Sequence, residues 1–132
     1  MIAGIGVDIV ENKRIKLLIK NKKFVERVFS SQEKLISKNM KSKVNFYSKR
    51  YAAKEALSKA LGTGIGRGIN FKDISIKNDN LGKPYYELNS YVKKAIFNSY
   101  RVKKFKISLS LADEKKYSIA FSVIHKWLVK IQ

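Results

Sequence analysis

The segment RYAAKEALSKALGTGIGRG, residues 50–68, constrains this chain more than any other: an alanine-rich helix runs directly into glycines at 62, 64, 66 and 68. The pattern predicts a helix over roughly 45–61, with Phe46, Ala53, Leu57, Ala60 and Leu61 available for packing and Gly62 as its stop. Glu55 and Lys59 then lie one helical turn apart on a single face, beside a loop whose amides can wrap phosphate. That is the place to look for chemistry. Dinucleotide-binding and P-loop glycines follow a strand and open a helix, whereas these follow a helix and enter a strand, so both motifs are disfavoured. Two readings stay open for the loop: a plain helix-to-strand connector, or flexible backbone that approaches an anion.

The rest of the chain reads as α+β, an antiparallel sheet packed against helices, with one domain over residues 1–132 and no repeat or linker. Residues 2–10 alternate as a strand, which places Ile5, Val7 and Ile9 toward a core and Gly4, Gly6 and Asp8 on the opposite face. Residues 11–23 read as one helix with Ile15, Leu18 and Ile19 inward and a basic outer face. SSQE at 30–33 has the form of a capping box for a short helix through about Asn39. INFKDISIK and KPYYEL read as strands joined by the turn NDNLG, and Asn89 or Ser90 caps a helix to about Arg101. FKISLSLA and YSIAFSVIHKWL, joined by DEKK, complete an antiparallel pair.

Composition bounds the chemistry. No cysteine is present, which excludes disulfides, thiol nucleophiles and cysteine zinc sites and fits a reducing compartment. His125 is the sole histidine, so a catalytic triad or a multi-histidine metal site within one chain is disfavoured. The apolar run at the N-terminus is interrupted by Asp8 and has no basic segment before it; it reads as a strand and not a signal peptide, and a cytoplasmic protein without membrane spans is expected. The 29 basic residues outnumber 10 acidic ones, and the net charge of +19 favours an anionic partner: nucleic acid, anionic lipid, a nucleotide or an acidic protein. The excess is mostly lysine, accompanied by isoleucine and asparagine, which AT-rich coding also produces.

Asp8 is harder to treat as surface decoration than Glu55, which alone would be a solvated helix residue in an i,i+4 pair with Lys59. An acid in an otherwise apolar strand costs several kcal/mol if buried unpaired, so it must meet a cation, a donor or solvent. Two carboxylates from separate elements form a sparse ligand set that suits magnesium, which keeps waters and takes further oxygens from substrate phosphates. Asp8, Glu55, Lys59 and the glycine loop together point to a metal-bound diphosphate.

GIGVDIV, RYAAKEALSKALGTGIGRGINFKDISI, NDNLGKPYYEL and ISLSLADEKKYSIAFSVI, in that order over nearly the whole chain, resemble holo-acyl-carrier-protein synthase, the small class of 4′-phosphopantetheinyl transferases. The resemblance implies a pseudo-hotdog-like protomer, a homotrimer with interfacial active sites, and transfer of phosphopantetheine from coenzyme A to a serine of acyl carrier protein. By that resemblance Asp8 and Glu55 are magnesium ligands, and Lys59 lies near the transferring phosphate. Arg50, the loop of Gly62, Thr63, Gly64, Ile65 and Gly66, and the turn of Gly82, Lys83 and Pro84 match positions lining the coenzyme A site. Arg14 matches a basic position that docks the acidic carrier. Leu111 stands where many relatives have histidine, so no histidine role is carried over.

In such a site the metal and Lys59 neutralise charge on the diphosphate and on departing 3′,5′-ADP, and the serine proton goes to metal-bound water or hydroxide, to Glu55, or to Glu33. Lys13, Arg14, Lys16, Lys20, Lys22, Lys23 and Arg27, against Glu26 alone, suit the steering of an acidic helix. Leu18, Phe24 and Phe29 offer apolar contact there, with core packing as the other use of each. The competing reading is a basic nucleic-acid-binding domain whose seven tyrosines and seven phenylalanines stack on bases, although no RNA- or DNA-binding signature is evident.

Overall fold

The computed structural model describes residues 1–102 and 104–127. Its central element is α4, Lys43–Leu61, which is buried on nearly every side and ends at Gly62 in the left-handed conformation, φ 77°. Against it lies a sheet of β1 (Ile2–Glu11), β5 (Tyr117–Lys126) and β4 (Phe105–Asp113), ordered β1-β5-β4 and antiparallel throughout. A separate hairpin pairs β2 (Ile74–Asn78) with β3 (Pro84–Leu88). Three short helices, α1 (Asn12–Leu18), α2 (Lys22–Val28) and α3 (Ser31–Ser37), wrap one side. The last helix, α5 (Ser90–Tyr100), is capped by Asn89. The α+β expectation holds.

Most elements fall where pattern placed them. Ser30 and Glu33 form the capping box of α3, with Glu33 N–H to Ser30 Oγ at 3.1 Å and Ser30 N–H to Glu33 Oε1 at 3.0 Å. Residues 11–23 do not form one helix. Ile19 ends α1, and Asn21 takes an extended backbone and accepts the Lys23 amide at 2.9 Å, opening α2. A side chain that caps well breaks a helix that periodicity alone would continue. Phe71–Asp73 forms a 3-10 turn before β2, so that strand is shorter than the alternation suggested. The reading of β5 through Leu128 ends outside the described residues.

The first strand faces the opposite way to the expectation. Ile5, Val7 and Ile9 are 54–60% exposed, while Gly4, Gly6, Asp8 and Val10 face α4. The reason is steric. A Cβ on Gly6 would overlap the Ala56 carbonyl and the Ala60 amide, and one on Gly4 would overlap the Ala60 carbonyl. Strand and helix therefore pack backbone to backbone, which no residue larger than glycine permits. The displaced aliphatics join Tyr117, Ile119 and Phe121 of β5 on the outer sheet face through the cross-strand pairs Val7–Phe121 and Ile9–Ile119.

Gly6→Val should cost roughly 3 kcal/mol, the upper range for overpacking. Urea denaturation followed by circular dichroism measures it, and an unchanged midpoint would contradict the packing described.

Candidate active site

The close strand–helix approach sets Asp8 at the first inward position beyond the two glycines. There Lys59 Nζ of α4 donates to Asp8 Oδ1 at 3.0 Å and to the Val7 carbonyl at 3.0 Å. Lys59 thus pairs across to β1, not along its own helix to Glu55 as the spacing suggested. Glu55, half-buried one turn earlier, has its carboxyl pushed above the ordinary range, first by burial and then by the neighbouring Asp8 charge. The Tyr51 phenol, Lys59 and Arg14 pull in the opposite sense. Asp8, Glu55 and Lys59 are therefore brought together from elements some fifty residues apart in sequence. Arg14 stands at their edge, its guanidinium 5.9 Å from the centroid of the Tyr51 ring.

Arg50 points to another side of α4. It is 4% exposed, stacks 3.8 Å above the Phe46 ring, and donates from Nη2 to Asn78 Oδ1 at 2.7 Å. Its Nε is buried without a partner, and burial lowers its affinity for a proton against the opposing influence of Glu33. Arg50, Asn78 and Gly82 line a cleft of about 700 Å³ whose rim carries Lys41, Lys49 and Lys77. Lys49 lies 3.4 Å from Asp113, which also accepts from Asn45 Nδ2 at 2.8 Å. Lys83 donates its amide to Asp79 at 2.9 Å and Pro84 opens β3.

The glycine loop does not join that cleft within one chain. Ile65 and Gly66 line a different hollow with Arg27 and Phe71, and the Thr63 hydroxyl is buried without a partner. Gly62, Gly64 and Gly66 all have positive φ, so although a Cβ at each would meet open space, an ordinary residue there would be strained by its backbone conformation. Leu18 is half-buried and packs against the core, as do Phe24 and Phe29, which are fully inside. His125 sits 3.4 Å from Ser108 on the sheet, remote from the acids. Glu33 is no proton acceptor for this site: it is 1% exposed and its carboxylate is already taken up by Lys54 and backbone amides.

Residues 4–122 match the model of the 4'-phosphopantetheinyl transferase superfamily. The chain belongs to that superfamily, in its holo-acyl-carrier-protein synthase branch. It is 51% identical to the holo-[acyl-carrier-protein] synthase of Pelagibacter ubique over 95% of this chain and 98% of that one. Among solved structures, the synthase of Neisseria meningitidis is 39% identical with a TM-score of 0.85, covering 96% of this transferase and all of that chain. The Bacillus anthracis synthase, solved in complex with CoA (3',5'-ADP), is 35% identical with a TM-score of 0.80, covering 96% and 99%.

Sequence reasoning did not single out Tyr51, Asn78, Lys49 or Lys77 in this phosphopantetheinyl transferase. Tyr51 precedes Glu55 by one helical turn, a spacing that gave a usable signal. Asn78 read only as a turn residue, and nothing in its neighbours announced its bond to Arg50.

Because the folded protein holds the Glu55 carboxyl above its ordinary range, the native state binds that proton more tightly than the unfolded chain. Stability attributable to this group falls as pH rises from the ordinary carboxylate range through the raised value. Glu55→Gln removes the penalty. Its urea midpoint should exceed that of the parent at pH 7 and converge on it near about pH 4.

Proposed function

We propose that this chain transfers the 4′-phosphopantetheine group from coenzyme A to a serine of apo-acyl carrier protein, releasing 3′,5′-ADP. The observation that carries the reading is the meeting of Asp8, Glu55 and Lys59 where β1 crosses α4. Its counterparts are the cationic cleft around Arg50 and the relatives' own names: the Pelagibacter ubique chain is a holo-[acyl-carrier-protein] synthase, and the Helicobacter pylori synthase structure, 31% identical, is in complex with coenzyme A.

The donor set suits magnesium. Two carboxylates from different elements raise each other's cost of ionisation, as the Asp8 influence on Glu55 indicates, and a divalent cation between them relieves that repulsion. Among the described residues no cluster of three or more acidic, histidine or cysteine ligands exists, so magnesium here would take its remaining ligands from water and phosphate oxygens. When bound, the ion supplies charge neutralisation on the diphosphate. Asp8 and Glu55 would hold it.

Lys59, with its ammonium already at this point, is placed to meet the same phosphates. Arg50, Lys41, Lys49 and Lys77 give the coenzyme an electropositive seat, with Lys49 also paired to Asp113 and Lys77 to Glu87. In the reaction the serine Oγ bonds to the phosphorus that carries pantetheine, the bond from that phosphorus to the bridging oxygen breaks, that oxygen leaves on 3′,5′-ADP, and the serine proton passes to water or to the Glu55 carboxylate. Arg14 and the basic residues after it provide the docking face for the acidic carrier, with Leu18 beside them.

The outer sheet face supports a homotrimer. Val7, Ile9, Ile119 and Phe121 form a contiguous apolar surface of the kind that other copies of a chain cover. The glycine loop and the Arg50 cleft, separate within one chain, then come from different subunits of one site. The nucleic-acid reading is weakened because Phe24, Phe29, Phe46, Tyr47 and Tyr51 pack on one another inside, away from bases. No helix among the described residues is long and apolar enough to cross a membrane. Cytoplasmic residence is proposed on the absence of cysteine and on the nature of the substrates.

Incubation with coenzyme A, magnesium and apo-carrier should add one phosphopantetheine arm to the carrier, read by intact mass; no mass gain overturns the proposal. Asp8→Asn should lower turnover by roughly a thousandfold or more while the circular dichroism spectrum stays unchanged, since several kcal/mol of charge stabilisation is lost. Arg14→Glu should raise the KM for carrier protein and spare coenzyme A affinity, and equal loss of both would sink the docking assignment. Phe121→Glu should shift the mass measured by light scattering from trimer to monomer.

A further inference from the structure

Glu33 and Lys54 are buried charges that the transfer reaction does not use. Their exposures are 1% and 0%. Lys54 Nζ donates to Glu33 Oε1 at 2.7 Å and to the Val28 carbonyl at 2.6 Å. Glu33 Oε1 also accepts the Ser30 amide at 3.0 Å, and its Oε2 accepts the Ile76 amide at 3.4 Å. The carboxylate ties the start of α3 to the middle of α4 and to strand β2, and Lys54 carries the tie on to the end of α2.

A buried ion pair is a poor way to gain stability, because desolvation offsets most of the attraction and apolar residues of similar volume serve as well or better. Burial indeed lowers the proton affinity of Lys54, and Glu33 opposes that shift. What the pair has and an apolar pair lacks is direction. Two residues beyond Ile76 on β2, Asn78 accepts from Arg50, and Arg50 lies one helical turn before Lys54 on α4. Lys54, Glu33, Ile76, Asn78 and Arg50 thus close a ring of covalent and hydrogen-bonded links with two rungs between α4 and β2. The second rung lines the 700 Å³ cleft, and Asn78 Nδ2 extends it to the Gly82 carbonyl at 2.9 Å.

We infer that Glu33 and Lys54 are positioning residues for that cleft: the pair holds β2 against α4 at the setting where Arg50 meets Asn78, and coenzyme A affinity depends on it. The inference rests on the reading of the cleft as the coenzyme A site. It separates the pair from ordinary core packing, since the same volume filled by apolar side chains would keep the fold and lose the setting.

The double variant Glu33→Leu with Lys54→Met tests it, with Glu33→Asp as a second variant that keeps the charge but is one methylene too short to reach both Lys54 and Ile76. Ile96→Val, in the core of α5, serves as a control for general destabilisation. Calorimetric titration should give coenzyme A affinity weaker by on the order of tenfold in both variants, with KM for coenzyme A raised and kcat and the carrier KM near the parent values. The control should leave all of these unchanged. Amide exchange at Ile76, Lys77 and Asn78 should accelerate in the double variant while the central turns of α4 stay protected. A folded double variant with parental coenzyme A affinity overturns the inference, as does parental affinity in Glu33→Asp if the double variant does not fold. Should the parent chain bind no coenzyme A, the transferase reading fails, and exchange at residues 76–78 alone then decides: accelerated exchange supports the strut and unchanged exchange overturns it.

Discussion

The backbone contact between β1 and α4 governs the architecture. Gly4 and Gly6 let a strand run against the Ala56 and Ala60 peptide groups, a distance that side chains normally forbid. Alanines at 52, 53, 56 and 60 answer from the helix with the smallest side chains that favour helix. The sheet then closes over the helix through Ala120 and Ile124 of β5. Asp8 is carried to Glu55 and Lys59 by this contact alone, because the strand continues past the glycines at two residues per repeat. A wider separation would leave an acid and a lysine too far apart to share a ligand.

Two electrostatic regimes coexist along α4. Toward β1 the charges are half-exposed and mismatched: Glu55 is unfavourably ionised beside Asp8, and Lys59 remains partly in water. Toward α3 and β2 the charges are fully enclosed and directed, with Lys54 and Glu33 satisfied by each other and by backbone groups. The first arrangement leaves a cost of ionisation at Glu55 that a bound cation would relieve. The second is finished and holds the frame. With Asp8, Glu55 and Lys59 as the proposed site, this division suits a phosphoryl transferase, since stabilisation spent on the resting site is unavailable to the transition state.

Much of this was legible in the sequence, and the gaps have physical causes. The capping box at Ser30 and Glu33, the stop at Gly62 and the Asn89 cap are local, so residue type alone located them. Alternation in residues 2–10 revealed a strand but not its orientation, because small residues on one face and aliphatics on the other fit either a core or an exposed interface. Gly4 and Gly6 were legible as sharing a strand face with Asp8; that this face lies against the long helix depends on tertiary packing. Asp8 and Glu55 were nameable as a pair because an acid in an apolar strand demands an explanation. Asn78 and the burial of Lys54 were not, since a lysine in a helix is solvated by default and only the folded chain shows Glu33 above it.

Strand alternation gives β1 two duties at adjacent positions. Val7 turns its side chain to the outer apolar face while its carbonyl receives the Lys59 ammonium, and Asp8 next to it faces inward. Whatever covers the outer face therefore shares a wall, one peptide thick, with the carboxylates. On the trimer proposed above, association and catalytic competence would be properties of the same ten residues, and dilution below the concentration needed for assembly would idle the chain without unfolding it.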